Sequence, residues 1–401
     1  MIRTAVRVAL VLVVTACGSP EPGTDSEPDG PAPVVYVWTT DSDSVDLNYL
    51  TVLDADAGSA TYGGVLTTLA VPTTGAIRGH HTEHRMPADG RLFANDFGTG
   101  KTYVLDLTDP ARPLVADSFV AAGPLQSPHS FERLAGGNVL ATFQNEGDGN
   151  AAPGGLAELA PNGEALRWGS AKAEGRYVRP YSLAVVPALD RVVTGSADMR
   201  GAGASSVVQV WSLSGLSLLA TIDLPEEWGP AAEPRVLSDG ETVLVTTFGC
   251  KLLRIDGLGG GEPTAHLVHD FGGRSCALPV VIGDYWVQAV PAVHGLVALD
   301  VSDPGRVQEV SRVALGAEDD WPHWISLNAD QTRIVVTGYA GTRHRVLIVD
   351  IDPSTAEMAV DLRFTSAGAQ GPGVSFHRDD WPHGRTGPGD PHGAVFSLPI
   401  G

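Results

Sequence analysis

The stretch Thr102-Tyr103-Val104-Leu105-Asp106 is a short apolar run that ends on an aspartate, and seven such runs occur along the chain. The other six follow the same pattern with some variation, at residues 49–54, 155–159, 208–211, 252–256, 295–300 and 346–350. Their equivalent positions, at 54, 106, 158, 211, 256, 300 and 350, are 44 to 53 residues apart. A nearly constant spacing of this length indicates a repeated unit that buries its apolar faces against its neighbours.

A second run rich in β-branched residues precedes most of these stretches, as in Arg91–Asn95, and a turn such as Ala88-Asp89-Gly90 introduces it. Four short runs in about 40–50 residues are typical of a propeller blade. We therefore predict an all-β protein in which residues 34–401 form a seven-bladed β-propeller. Residues 373–398 are expected to complete the first blade, so that strands from both termini close the ring. Two stacked sandwiches, the main alternative, would leave the repeat spacing unexplained.

The first residues have the pattern of an export signal. Arg3 and Arg7 precede an apolar segment, 8–14, that is too short to span a bilayer. Val14-Thr15-Ala16-Cys17 then resembles the bacterial lipobox, in which the cysteine is lipidated and becomes the new N-terminus. We predict a signal peptide over 1–16, lipidation of Cys17 and a flexible tether over 17–33, which has almost no large apolar residue. The alternative is an ordinary signal peptide with a chance cysteine.

Charge and cysteine content limit the partners and the compartment. The chain has 47 acidic against 26 basic residues, a net charge of −21, so nucleic acid is excluded as a partner and membrane contact is expected only through the lipid anchor. The expected location is therefore the bacterial cell envelope, on the periplasmic or outer face. In that oxidising compartment Cys250 and Cys276 are predicted to form a disulfide, with a metal-thiolate role as the alternative. The sequence leaves open whether the chain has a protein partner.

Several histidines occur at the same phase of the repeat, where the innermost run of a unit begins. The sequence Asp-Asp-Trp-Pro-His occurs twice, at residues 319–323 and again in the C-terminal segment at residues 379–383. Because the units concerned are consecutive around the ring, these imidazoles are expected to converge at the mouth of the central channel. The predicted metal ligands are His80, His81, His129, His323, His383 and His392.

Imidazole suits copper, zinc, iron or nickel, and no further motif narrows the choice. Nearby carboxylates are expected to orient the rings, namely those of Asp320, Asp380 and Asp390. The alternative is that each histidine is an ordinary channel or loop residue bonded to a carboxylate or a carbonyl, and that the tryptophan of the repeated segment packs between blades. His84 is left unassigned, and His344 is interpreted as a surface residue.

A resemblance to a known family sharpens this prediction. Gly79-His80-His81, the runs 103–110, 208–211 and 299–304, and the histidine-bearing tail resemble the selenium-binding protein / methanethiol oxidase family. The resemblance implies a copper cofactor held by His80, His81, His129 and a tail histidine. It also implies oxidation of methanethiol with oxygen and water to formaldehyde, hydrogen sulfide and hydrogen peroxide. The chain departs from the family in lacking a Cys-x-x-Cys stretch after His81.

Three hypotheses follow for the function. The first is an exported lipoprotein propeller with a copper site, or a site for another transition metal, that oxidises a small thiol. The second is a non-enzymatic propeller that binds a protein or a glycan at the cell envelope. The third is a metal carrier without turnover. The sequence alone leaves open which is correct, so enzymatic activity is a hypothesis at this point.

Overall fold

The structure is a computed structural model that describes residues 32–74, 79–147, 149–316, 318–338, 344–369 and 371–398. The regular secondary structure of the described residues is almost entirely β-strand, with single 3-10 turns at Pro187–Leu189, Glu226–Trp228 and Pro291–Val293, so the all-β prediction is confirmed. The described part contains no helix long and apolar enough to cross a membrane. The predicted signal peptide, Cys17 and nearly all of the tether lie outside the described residues.

The strands are numbered in chain order. The first half of the chain contains β1 (Val34–Asp41), β2 (Leu47–Asp54), β3 (Val65–Thr74), β4 (Gly79–Thr82), β5 (Arg91–Asp96), β6 (Lys101–Asp106), β7 (Leu114–Phe119), β8 (Ala121–Ala122), β9 (Leu125–Arg133), β10 (Val139–Glu146), β11 (Gly155–Leu159), β12 (Ala165–Ser170), β13 (Pro180–Val186), β14 (Arg191–Ser196), β15 (Val207–Ser212) and β16 (Leu218–Asp223). The second half contains β17 (Ala231–Val236), β18 (Val243–Thr247), β19 (Lys251–Asp256), β20 (Thr264–Asp270), β21 (Pro279–Ile282), β22 (Tyr285–Val290), β23 (Gly295–Asp300), β24 (Gln308–Ala314), β25 (Ile325–Leu327), β26 (Arg333–Thr337), β27 (Arg345–Ile351), β28 (Met358–Val360), β29 (Val374–Ser375), β30 (Asp380–Trp381), β31 (Gly384–Arg385) and β32 (Gly389–Phe396).

These strands form antiparallel sheets, most of them four strands wide. The orders are β3-β2-β1-β32, β4-β5-β6-β7, β9-β10-β11-β12 with β8 beside β9, β13-β14-β15-β16, β17-β18-β19-β20, β21-β22-β23-β24 and β25-β26-β27-β28 with β29 beside β27. A single bridge, Ser196 to Ala231, joins β14 to β17, and β30 and β31 form a separate hairpin. This arrangement is that of a β-propeller.

Burial within each sheet explains why these segments form strands. Strands in the middle of a sheet, such as β10, are almost wholly buried because both of their faces are covered. The outer strand β12 alternates between partly buried and exposed residues, the period expected of a strand with one face in water. The largest side chains of the core are fully buried tryptophans, namely Trp38, Trp211, Trp286 and Trp324.

The C-terminal strand pairs with the N-terminal one. β32 lies antiparallel to β1, with Val35 opposite Phe396 and Val37 opposite Ala394. We call β4, β9, β13, β17, β21, β25 and β32 the inner strands, because each contacts strands of neighbouring sheets. β32, which carries His392, contacts β4, which carries His80 and His81. It also contacts β25.

The structure joins Cys250 and Cys276 in a disulfide with a Cα–Cα distance of 5.0 Å. Both residues are fully buried, and the backbone N–H of Cys276 donates a hydrogen bond to Sγ of Cys250. The bond links the turn between β18 and β19 to the segment that leads into β21. It therefore fastens two neighbouring sheets.

Candidate metal centre

Five imidazoles meet where inner strands from neighbouring sheets come together. They belong to His80 and His81 on β4, His129 on β9, His392 on β32 and His323 just before β25. The first four are at most 1% exposed. Five of the six histidines predicted as ligands are thus close together, and four of them are buried.

The ring contacts are short. Ring centroids are 4.1 Å apart for His80 and His392, 4.3 Å for His80 and His81, 4.3 Å for His81 and His129, and 4.6 Å for His323 and His392. His80, His81 and His392 each offer a ring nitrogen, and these three atoms lie within 4.8 Å of one another. This spacing is short enough for one metal ion to contact all three.

Backbone carbonyls orient two of the rings. Nδ1 of His129 donates to the carbonyl oxygen of Tyr181 at 2.7 Å, and Nδ1 of His392 donates to that of Gly79 at 3.3 Å. A ring that donates from Nδ1 in its neutral form carries its lone pair on Nε2. Nε2 of His129 lies 3.0 Å from Nε2 of His80. Two nitrogen ligands of one metal ion are separated by roughly 3 Å when each metal–nitrogen bond is about 2.0 Å long, so the observed distance is close to that value.

His81 is the residue that points most strongly to a ligand. It is fully buried, and neither of its ring nitrogens has a hydrogen-bond partner among the described residues. Leaving a buried polar group unpaired costs about 1–3 kcal/mol, so such groups are rare in folded proteins. The ring packs edge-on against Trp324, with centroids 5.0 Å apart, and stacks on His80. A metal ion bound to one nitrogen would satisfy it, so the residues present fit a transition metal.

Burial keeps three of these imidazoles neutral, those of His81, His129 and His323. It lowers the pKa of His81 well below its usual value, and the neighbouring His80, His129 and His392 lower it further. Burial also lowers the pKa of His129 to about 3, although its hydrogen bond to Tyr181 acts in the opposite direction. The same cause lowers the pKa of His323 to about 4. At neutral pH the rings are therefore unprotonated, the form in which imidazole binds a metal.

The structure places the three aspartates predicted to orient the rings in other contacts. Asp320 is buried and accepts hydrogen bonds from Arg345, with Nε to Oδ1 at 3.0 Å. Asp390 pairs with Nδ1 of His344, and the side chain of Asp380 is exposed. The acceptors seen on the cluster imidazoles are carbonyl oxygens instead. The sequence could not have revealed them, because every residue carries a carbonyl.

His383, the sixth predicted ligand, lies away from the cluster. Its Nδ1 is 2.8 Å from Oγ1 of Thr68 on the outer strand β3, and its ring packs on Tyr49 at 4.6 Å. The neighbouring Trp381 also packs on Tyr49, at 4.9 Å. The second Asp-Asp-Trp-Pro-His segment thus forms the β30–β31 hairpin that covers the first sheet, the structural role considered as the alternative above.

A second set of charged and aromatic residues lies just beyond the histidines along the same strands. A cavity of about 510 Å³ is lined by His84, Glu132, Arg133 and Arg235, among others. The ring of His84 stacks on Trp324 at 5.0 Å, so this tryptophan contacts both His84 and His81. Sequence reasoning left His84 unassigned and missed Trp324. The only available signal was that Trp324 directly follows His323.

Sequence comparison gives a partial similarity. No family model matches the chain. Over 122 residues the chain is 30% identical to a methanethiol oxidase from Ruegeria pomeroyi, a stretch that covers 28% of this chain and 27% of that protein. The matched stretch is thus about a quarter of the length of its curated relative.

Structural comparison covers nearly the whole chain. A hypothetical selenium-binding protein from Sulfolobus tokodaii superimposes with a TM-score of 0.71 at 14% identity, covering 92% of this chain and 94% of the other. A periplasmic gluconolactonase from Pseudomonas aeruginosa gives 0.64 at 14% identity, over 92% and 99% of the two chains. At such identities the likeness shows the fold alone. The chain is therefore an all-β, propeller-like protein that is partly similar to a methanethiol oxidase and has a histidine triad able to hold a metal ion.

Proposed function

We propose that residues 34–401 form a seven-bladed β-propeller closed by strands from both termini. The support comes from contacts between the inner strands, which follow one another in a cycle from β32 to β4, β9, β13, β17, β21, β25 and back to β32. Each of these strands belongs to a different set of four, and β32 joins β1 in the first set. Cyclic contact of this kind leaves no sheet edge open at the centre.

The proposed function is that of a copper-dependent oxidase of a small thiol, and the partial similarity to a methanethiol oxidase supports the choice of a thiol as substrate. The observation that carries the proposal is the triad of His80, His81 and His392, in which both ring nitrogens of His81 are buried and lack a hydrogen-bond partner among the described residues. Imidazole donors suit copper, and copper binds such sites most tightly among the divalent first-row metals. Zinc, iron or nickel would fit the same donors.

The chain's own residues would prepare this site in two ways. His80, His81 and His392 would hold the metal, and copper would supply one-electron chemistry with oxygen when bound. The carbonyls of Tyr181 and Gly79 fix the orientation of their histidine partners, so the rings need little rearrangement on binding.

The surroundings of the rings favour an uncharged substrate. Phe97 packs against His80 and His129, with centroids 5.9 and 5.4 Å away, and Trp324 against His81. These apolar walls suit a small uncharged thiol better than an ion. As the family resemblance implies, the overall reaction would convert methanethiol, oxygen and water to formaldehyde, hydrogen sulfide and hydrogen peroxide.

A copper-loading and turnover experiment tests this function. Purified protein would be stripped with chelator, loaded with copper and assayed for bound metal and for oxygen consumption with methanethiol. We expect about one copper per chain and thiol-dependent oxygen uptake, both lost in His81→Ala and kept in the control His266→Ala, whose residue lies on the outer strand β20. Copper without turnover would indicate a metal carrier. Absence of bound metal, together with a stable envelope partner, would favour a binding module instead.

We further propose that the protein is exported and anchored by a lipid on Cys17. The proposal rests on the sequence of residues 1–17. Expression in a bacterial host with labelled palmitate should give a labelled, membrane-associated protein. The variant Cys17→Ser should be unlabelled and leave the membrane fraction, and equal fractionation of both proteins would contradict the anchor.

A further inference from the structure

The turn between β1 and β2 carries three aspartates, Asp41, Asp43 and Asp46, that the proposed function does not use. Each offers a carboxylate oxygen, and the three atoms lie within 4.8 Å of one another. We infer that this turn is a binding site for Ca²⁺, formed by these three carboxylates and completed by water. The inference does not depend on the metal or the activity proposed for the histidine cluster.

Burial of Asp41 is the first observation behind this inference. The residue ends β1 and is only 1% exposed. Its Oδ2 accepts hydrogen bonds from the backbone N–H groups of Val45 at 2.9 Å and Asp46 at 2.8 Å. Its Oδ1 is buried and has no hydrogen-bond partner among the described residues. An unpaired carboxylate oxygen in a buried position is costly unless a cation neutralises it.

The neighbouring Asp43 adds to this charge. Its Oδ1 accepts a hydrogen bond from the same N–H of Val45, at 3.0 Å, so the two carboxylates converge on one donor. Two carboxylates held together in this way repel each other, and a divalent cation between them would turn the repulsion into attraction.

Tyr49 supplies a further buried oxygen near Asp41. Thr39 on β1 is directly opposite Tyr49 on β2, and Asp41 is two residues further along β1, so the three side chains lie on the same face. The hydroxyl of Tyr49 is fully buried, and among the described residues it has no hydrogen-bond partner.

The chemistry of the donors favours calcium over other metals. All are hard oxygen donors, which calcium binds at 2.3–2.6 Å, so donors within 4.8 Å of one another fit a shell roughly 4.6–5.2 Å across. Asp43 is exposed and Asp46 is half-buried, so water can complete the seven or so ligands that calcium takes. Magnesium demands a stricter octahedral arrangement, and copper prefers the imidazoles elsewhere.

Binding at this turn would also stiffen the strands beside the histidine cluster. Asp41 lies opposite Gly389 on β32, three residues before His392. Thr40 donates from Oγ1 to the carbonyl oxygen of Gly79, the same oxygen that receives Nδ1–H of His392. A cation at Asp41 would therefore hold the end of β1 against the strand that carries a proposed copper ligand.

Calcium titration of the whole protein tests the inference. Chelator-treated protein without copper would be titrated with calcium chloride in a calorimeter, comparing wild type, Asp43→Asn and the control Asp117→Asn, an exposed acidic residue on β7. We expect one site with a dissociation constant between about 10⁻⁶ and 10⁻³ M, weakened at least about tenfold by Asp43→Asn and unchanged in the control. Binding that is absent up to about 10 mM calcium, or equal in all three proteins, would overturn the inference.

Thermal unfolding with and without calcium gives a second measurement. Calcium should raise the melting temperature of wild type by a few degrees, because a ligand that binds only the folded state stabilises it. Asp41→Asn should abolish this rise without lowering the melting temperature of the calcium-free protein, since it removes a buried repulsion. If Asp41→Asn does not fold, the exposed Asp43→Asn carries the comparison. An equal rise with magnesium would overturn the assignment to calcium.

Discussion

The inner strands carry two very different sets of polar groups, one near their beginnings and one towards their ends. β4 and the segment after it show both within a few residues: His80 and His81 lie among neutral imidazoles, whereas Glu83 pairs with Arg133 at 2.9 Å. At the ends, Arg235 likewise pairs with Glu233 at 2.9 Å. Each of these charged side chains has an oppositely charged neighbour. At the neutral end, in contrast, both ring nitrogens of His81 lack a hydrogen-bond partner among the described residues, and this difference supports the proposed metal site there.

Two histidines make the contrast most clearly. His81 and His84 are three residues apart, both contact Trp324, and burial lowers the pKa of each. Nη2 of Arg235 lies 3.3 Å from Nε2 of His84, so that ring has a donor, whereas the ring nitrogens of His81 have no partner among the described residues. Burial alone therefore does not distinguish a ligand from a structural histidine, but missing hydrogen bonds do.

The largest expected effect is on metal affinity, and it separates these two histidines. His81→Ala removes a ligand and should weaken copper binding by at least about 1000-fold, equivalent to about 4 kcal/mol. His84→Ala should leave the affinity within about threefold, because its ring bonds Arg235 instead. Competition with a copper chelator measures both constants. Equal losses in the two variants would mean that the two histidines do not differ as described.

The next effect is on stability and concerns the charged end. Arg133→Met leaves the Glu83 carboxylate, whose side chain is 3% exposed, without its ion-pair partner. We expect the free energy of unfolding to fall by about 3 kcal/mol, as for other broken buried pairs. Urea denaturation measures it, and the copper content of folded protein should stay unchanged. A variant as stable as wild type would show that the pair contributes little.

A smaller effect is expected from His129, which lies at the edge of the histidine triad. His129→Phe keeps the ring but removes Nε2, 3.0 Å from His80, and the hydrogen bond to Tyr181. Copper affinity should fall by about 10- to 100-fold, the usual effect of losing a group that orients ligands. A loss as large as that in His81→Ala would instead make His129 a full ligand, and an unchanged affinity would remove it from the site.

The smallest effect is a pH dependence outside the cluster. Asp390 accepts a hydrogen bond from His344 and raises the pKa of that imidazole above its ordinary value, although partial burial opposes this. A raised pKa means stabilisation that is complete below about pH 6.5 and lost as the pH rises through the folded-state value. Because the pair is partly exposed, less than about 1 kcal/mol is expected. Urea unfolding at pH 6 and pH 9 should show a smaller difference for His344→Gln than for wild type, and identical differences would contradict the pairing.

Repeat spacing predicted the all-β structure well, because strand period and turn residues are local properties that each unit repeats. The phase of the repeat also located His80, His81, His129, His323 and His392, since residues at one position of the inner strands of neighbouring sheets meet. It misplaced His383 because the copied segment 379–383 lies in a hairpin rather than before an inner strand.

Other features of the site depend on tertiary contacts that have no local sequence pattern. The carbonyl partners of His129 and His392 and the pairing of Asp320 with Arg345 are of this kind. They arise only when separate sheets pack together. The aspartate turn at 41–46 was visible in the sequence, but its significance depends on the burial of Asp41.

X-ray absorption at the copper edge of the reconstituted protein would show whether the histidine triad binds copper. We expect three or four nitrogen neighbours with the multiple-scattering pattern of imidazole and no sulfur, consistent with the disulfide between Cys250 and Cys276. A sulfur neighbour, or a shell of oxygen atoms without imidazole scattering, would contradict it.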